Sequence, residues 1–258
     1  MIRAITVLSA AMLALARCGG ADAAAPVAAP SAKASPTAMP AAAPDIARCD
    51  AQHVQHPNDP IPVDPVAIPK AFQGIAKASA RELALLSQSG ATVCDRAVGI
   101  DAVANMAWLR KDRLLGWEWQ AYEAFGYVVF DRAGKGAVIE TGGKPTFSPG
   151  GGRFASVEFS DFGALGGFAV WEVNADGLTR IGGETSRSEG EGADFVIIEP
   201  EVFTDRFGDW SISGWKGETC VSIAFDGGQL SPDAAFPGQS AFHAAEGARW
   251  QIAPGPCP

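Results

Sequence analysis

Trp117, Glu118 and Trp119, within Gly116-Trp-Glu-Trp-Gln-Ala-Tyr122, are the residues of this chain best suited to holding a ligand. On a β-strand, residues two apart point to the same face. The two indoles therefore form one aromatic strip with Ala121 beyond, while Glu118, Gln120 and Tyr122 face the other way. Such a strip can stack sugar rings. It can equally pack between two sheets, the commoner use of so much apolar area.

Other chemistry-bearing residues are sparse. His53 and His56 form an H-x-x-H pair in a Pro-rich stretch, with only Asn58 and Asp59 for company, and no metal site is expected of them. His243 has Ser240 nearby but no G-x-S-x-G elbow, so no Ser-His-Asp triad is expected. Glu184, Glu189, Glu191, Asp194, Glu199, Glu201, Asp205 and Asp209 crowd one stretch. Paired carboxylates can serve as glycosidase acid and base, or bind calcium, but no D-x-D-x-D-G loop is present and a solvated acidic loop is the expectation. Gly150 to Arg153 lacks the Lys-Ser/Thr of a phosphate loop and reads as a turn. No catalytic residue and no cofactor is assigned.

The elements that position these residues come after a long N-terminal preface. Residues 1–17 read as an export signal, with Arg3 as the positive n-region, Ala4 to Ala16 as the apolar run and Ala14-Leu15-Ala16 as a cleavage pattern. The run is too short for a membrane span, which needs about 20 apolar residues. Leu15-Ala16-Arg17-Cys18 resembles the lipobox of bacterial lipoproteins, which makes Cys18 a lipidation candidate. Arg17 stands where that pattern takes a small residue. Cleavage after Ala16 or Ala23 instead yields a soluble periplasmic or secreted protein. Residues 18–47, almost wholly Ala, Pro, Ser and Gly, read as a semi-extended spacer. The expected location is the periplasm, with the outer membrane reached through a lipid anchor.

About 210 residues remain, enough for one domain. The formal charge of the whole chain is -9, and loss of Arg3 and Arg17 makes the mature form more acidic still. That disfavours nucleic acid and anionic headgroups as partners, since both reward Lys/Arg clusters. Of the five cysteines, Cys18 is set aside by lipidation, leaving Cys49, Cys94, Cys220 and Cys257 for two disulfides in an oxidising compartment. Three pairings are open. Cys49 with Cys94 and Cys220 with Cys257 is preferred, because each closes a loop of about 40 residues near one end of the domain.

Residues 48–79 read as an extended, Pro-rich lead-in with a short helix over 69–79. From residue 80 to 258 the pattern is of thirteen short strands separated by Gly-containing turns, which predicts an all-β domain. Phe147-Ser148-Pro149 with Gly151, Arg153-Phe154-Ala155, Val170-Trp171-Glu172-Val173 and Asp176-Gly177 then form a recognisable series. The stretch from Pro145 to Ile181 resembles one blade of the propeller repeats of Tol-associated envelope proteins. Gly150 stands where the repeat carries Asp, removing a turn-stabilising side-chain hydrogen bond. Looser echoes begin at Gly126 and Trp210. The resemblance implies a propeller-like array of antiparallel blades, about four at roughly 40 to 45 residues each; the alternative is a β-sandwich.

The expected function is that of an exported envelope binding or interaction protein without catalytic activity, its partner an envelope protein or a glycan. The alternatives are a periplasmic glycan hydrolase using paired carboxylates and an inhibitor of an envelope enzyme. A carboxyl pair in a cleft beside Trp117 or Trp119 would favour hydrolysis.

Overall fold

The computed structural model describes residues 42–56, 64–97, 99–121, 124–157, 168–183, 210–225, 241–246 and 250–258. The signal, Cys18, the acidic run 184–209 and the strand expected at 195–198 lie outside these. All described residues belong to a unit spanning Ala41–Pro258.

That unit is all-β apart from a short helix and a 3-10 turn, and its strands form four antiparallel sheets. The first sheet contains β1 (Ala76–Ala78), β2 (Glu82–Leu86) and β3 (Thr92–Arg96); the second contains β4 (Ala102–Arg110), β5 (Leu114–Gln120), β6 (Phe125–Asp131) and β7 (Ala137–Glu140). The third contains β8 (Thr146–Phe147), β9 (Arg153–Val157), β10 (Phe168–Asn174) and β11 (Gly177–Gly183), and the fourth β12 (Trp210–Lys216), β13 (Cys220–Phe225), β14 (Ala241–Ala245) and β15 (Gln251–Pro254). Within each sheet the strands run in chain order. Adjacent strands in a sheet are thus also successive in the chain.

Strand alternation decides how the sheets meet. Leu115, Trp117, Val128 and Phe130 of the second sheet share a core with Phe72 and with Ala76, Leu83 and Leu85 of the first. Leu114, Tyr127 and Val129, on the opposite face, pack against Phe147, Val173 and Leu178 of the third. The far face of the third sheet, with Ala155, Val157, Phe168 and Val170, meets Val221, Ile223, Ala244 and Trp250. The middle two sheets are therefore buried on both faces, which explains their long apolar runs.

Polar staples tie neighbours together. Asp131, fully buried, takes a two-pronged ion pair from Arg113, with Nε–Oδ1 and Nη2–Oδ2 both 3.1 Å, and Arg113 also donates to the carbonyl of Asn174 in the third sheet. At the turn where Gly150 supplies no side chain, the Glu218 carboxylate reaches over from the β12–β13 hairpin. It accepts from Ser148 Oγ and from the Gly150 amide, both at 2.6 Å.

An end of the unit is fastened to the first sheet and another to the fourth. A helix, α1 (Ile46–Gln52), lies on the face of the first sheet turned away from the second. It is held there by the Cys49–Cys94 disulfide, by Ser79 Oγ donating to Asp50 and by a 2.6 Å contact of His53 Nδ1 with Glu82. On the outer face of the fourth sheet the last residues are held by the Cys220–Cys257 disulfide and by His243 Nδ1, 3.0 Å from the Gly255 carbonyl. The preferred pairing of cysteines is the one formed.

Three local expectations are corrected. The stretch from Cys49 on does not exclude helix: Asp45 caps α1 by accepting from the Arg48 amide, and the prolines begin only after the helix has ended. The helix expected over 69–79 is a 3-10 turn at Lys70–Phe72 followed by β1, because pairing with β2 overrides a weak helical preference. β8 and β14 were not anticipated, and β4 is far longer than the expected strand at 107–109.

Candidate functional site

The parity of β5 holds as the alternation predicts, but it separates the proposed ligand residues. Trp117 is fully buried in the core shared by the first two sheets, so it is not a ligand platform. Trp119, on the same face, is only half-buried, and Glu118 is exposed on the opposite face. At the end of the sheet the two come together around a cavity of about 300 Å³. Gln120, Phe125, Tyr127 and Lys144 complete its side-chain lining, and Ala102, Ala104, Gly126 and Gly142 keep its walls low.

Two glycines make this arrangement possible. A Cβ on Gly126 would lie 2.7 Å from Trp119 Nε1, so the indole occupies the space a side chain would take. A Cβ on Gly116 would overlap the Tyr127 hydroxyl, so the phenol lies over that glycine. Tyr127 stands opposite Glu118 in the β5–β6 register. Burial, followed by the Glu118 charge, pushes its pKa up to about 12, and the phenol stays protonated.

Glu118 is held from β4. The register places Ala104 opposite Glu118 and Ala107 opposite Gly116, so between these points β4 carries one residue too many, a β-bulge, the first of two shifts in this strand. Asn105 occupies it with φ 52°, a left-handed conformation uncommon outside glycine but tolerated by Asn. Its amide Nδ2 donates to Glu118 Oε2 at 2.6 Å. The bulge also shifts the strand's parity, so that Val103, Met106 and Trp108 all face the first sheet.

Trp119 lines a second cavity, of about 380 Å³, with Asp95, Arg96, Ile100, Val128, Val138 and Glu140 among its walls. It lies where β3 packs beside β7. Burial, against a weaker opposing backbone hydrogen bond at Arg96, raises the Asp95 carboxyl to about 6, and the nearby Glu82 charge adds to the rise.

The remaining candidates lie elsewhere. His53 is engaged with Glu82, and His243 with the Gly255 carbonyl. Among the described residues no cluster of three or more His, Cys, Asp or Glu side chains is placed to hold a metal ion. Trp171 stacks on Phe154 at 5.1 Å and Trp215 meets Trp250 edge-on at 6.0 Å, both within cores. Asn105, Gln120, Phe125, Tyr127, Lys144, Asp95 and Glu140 were not singled out from sequence. Pairing β5 with β6 would have placed Tyr127 beside Glu118; nothing in the sequence marks the bulge. No protein-family model, curated protein or solved structure matches the chain.

Proposed function

We propose that this is an exported binding protein of the bacterial cell envelope, without catalytic activity, that holds its ligand in the cavity beside Glu118 and Trp119. The observation that carries the proposal is the restraint of a single carboxylate, by Asn105, at an aromatic cavity. Among the described lining residues Glu118 is the only carboxylate there, whereas glycoside hydrolysis uses two. The two disulfides suit an oxidising compartment such as the periplasm. The Tol-associated resemblance would make the sheets successive blades, an open propeller-like array, and a lipid on Cys18 would tether it to the outer membrane. That the stretch resembling a blade folds as one four-stranded sheet supports this view.

Native mass spectrometry of the mature chain, mixed with an envelope extract of small molecules and oligosaccharides, tests the function. A retained ligand, lost in Trp119→Ala, is expected; a wild-type chain that retains nothing would remove the proposal. Intact mass of protein taken from its envelope tests the anchor, which an unmodified N-terminus would exclude.

One observation favours a second reading, glycan hydrolysis. Asp95 and Glu140 line one cavity beside Trp119, and a carboxyl raised toward neutrality is a candidate general acid. Cleavage products in the same mixture, abolished by Asp95→Asn, would establish the enzyme instead.

A further inference from the structure

We infer that the cavity beside Glu118 takes a neutral saccharide, one or two rings of a glycan, an assignment that rests on the binding-protein proposal and specifies its ligand. A volume of about 300 Å³ lies at the small end of ligand sites, which limits the occupant to a short unit. Trp119 and Phe125 supply aromatic surface, and Phe125 remains 49% exposed although it borders the cavity. A pyranose ring has an apolar C–H face for such a surface and hydroxyls around its edge.

The polar groups select for that edge. A carboxylate is an acceptor only, and the Asn105 amide uses part of the capacity of Glu118. The rest must be met by donors, which a ring bearing hydroxyls provides and a plain aromatic ligand does not. Glu118 and Lys144 balance each other's charge, which suits a ligand without net charge. Lys144 donates, while Gln120 and the protonated Tyr127 phenol can both donate and accept. Such mixed chemistry matches hydroxyls, which do both.

The β4 bulge gives the site its precision. Bulges occur beside functional sites where a side chain must be re-aimed, and left-handed backbone at a residue other than glycine is stored strain. Here both fall on the residue that grips Glu118. Asn105 is a positioning residue: it orients the carboxylate and is not required to touch the ligand.

The test uses the full mature chain on an array of bacterial and eukaryotic glycans, and in solution with the neutral disaccharides chitobiose and maltose, followed by tryptophan fluorescence. At least one saccharide is expected to bind, with affinity reduced tenfold or more, about the worth of a hydrogen bond to a charged group, in Glu118→Gln. Asn105→Gly separates positioning from folding, because glycine keeps the left-handed backbone and removes only the amide. It should leave the melting temperature unchanged or raised and weaken binding by about threefold to tenfold. Saccharide binding that both variants leave untouched would place the sugar elsewhere and overturn the assignment. If no saccharide binds but the envelope extract still yields a Trp119-dependent ligand, the sugar assignment fails and the binding-protein proposal stands. If neither source yields a ligand, both fail.

Discussion

Asn105 donates its side-chain amide to Glu118 from the first of two irregularities in β4, with 2.6 Å between Nδ2 and Oε2. A strand irregularity and a cavity-lining carboxylate are thereby one unit. The same end of the second sheet carries the half-buried Trp119, so small changes of backbone there should register at the cavity before they register in the core.

Gly126→Ala puts that to the test. The new methyl would stand 2.7 Å from Trp119 Nε1, 3.0 Å from its Cε2 and 3.1 Å from Glu140 Oε1. The indole must move, at a cost of about 1–2 kcal/mol. Urea unfolding and the near-ultraviolet circular dichroism of tryptophan should both change; an unaltered spectrum would mean the indole does not rest on that glycine.

Asp95 makes stability depend on pH in a stated direction. Its carboxyl is raised to about 6 from an ordinary 3.8, so the folded chain binds the proton more tightly than the unfolded one. The associated stability is fully present below about pH 4, declines as pH rises and is lost by about pH 6, a change of at most about 3 kcal/mol. Glu218 and Glu246 run the other way: hydrogen bonds from Ser148 and Arg153 respectively lead the causes that lower their pKa, so their contribution fades as pH falls below the ordinary carboxylate range. The difference between wild type and Asp95→Asn isolates Asp95. The variant should be the more stable at pH 7.5, with the gap narrowing toward pH 4, and a pH-independent gap would contradict the desolvated carboxyl.

Arg113→Met leaves the fully buried Asp131 without its ion pair, although the Ala133 amide still donates to Oδ1 at 2.9 Å. Removing one partner of such a pair costs about 3–5 kcal/mol. Because Arg113 also donates to the Asn174 carbonyl, hydrogen exchange should quicken at the β10–β11 hairpin as well as at β6. Loss confined to the second sheet would show that the staple does not couple the two.

The disulfides close separations of 45 and 37 residues. Chain entropy assigns each about 3–4 kcal/mol. Cys220→Ser with Cys257→Ser should lower the urea midpoint while leaving ligand affinity within twofold, since the bridge lies in the fourth sheet and the cavity in the second. A large loss of affinity in a chain that still unfolds cooperatively would contradict that independence.

Much of the fold was legible because the signals were local. Alternation within Leu114–Gln120 gave the strand and the parity of Trp117 and Trp119, and turn glycines such as Gly151 and Gly217 do carry positive φ, at 68° and 63°. The charge and spacing of the cysteines led to the pairing that forms. What was not legible is what depends on neighbours distant in sequence. Whether Trp117 or Trp119 meets solvent depends on where the first sheet stops covering the second. The amide of Gly150 finds its acceptor in Glu218, 68 residues away, which no reading of the turn alone could supply. Asp95 and Glu140 come to one cavity only because β3 and β7 pack side by side.

A row of sheets that meet face to face could in principle go on adding members, whether from the same chain or from another copy. In this chain each terminal sheet instead carries one end of the unit on its outer side, α1 on the first and the C-terminal residues on the fourth, each under a covalent bond. A reducing environment would put at risk more than stability: it would release both ends of the unit from the sheets to which they are bonded.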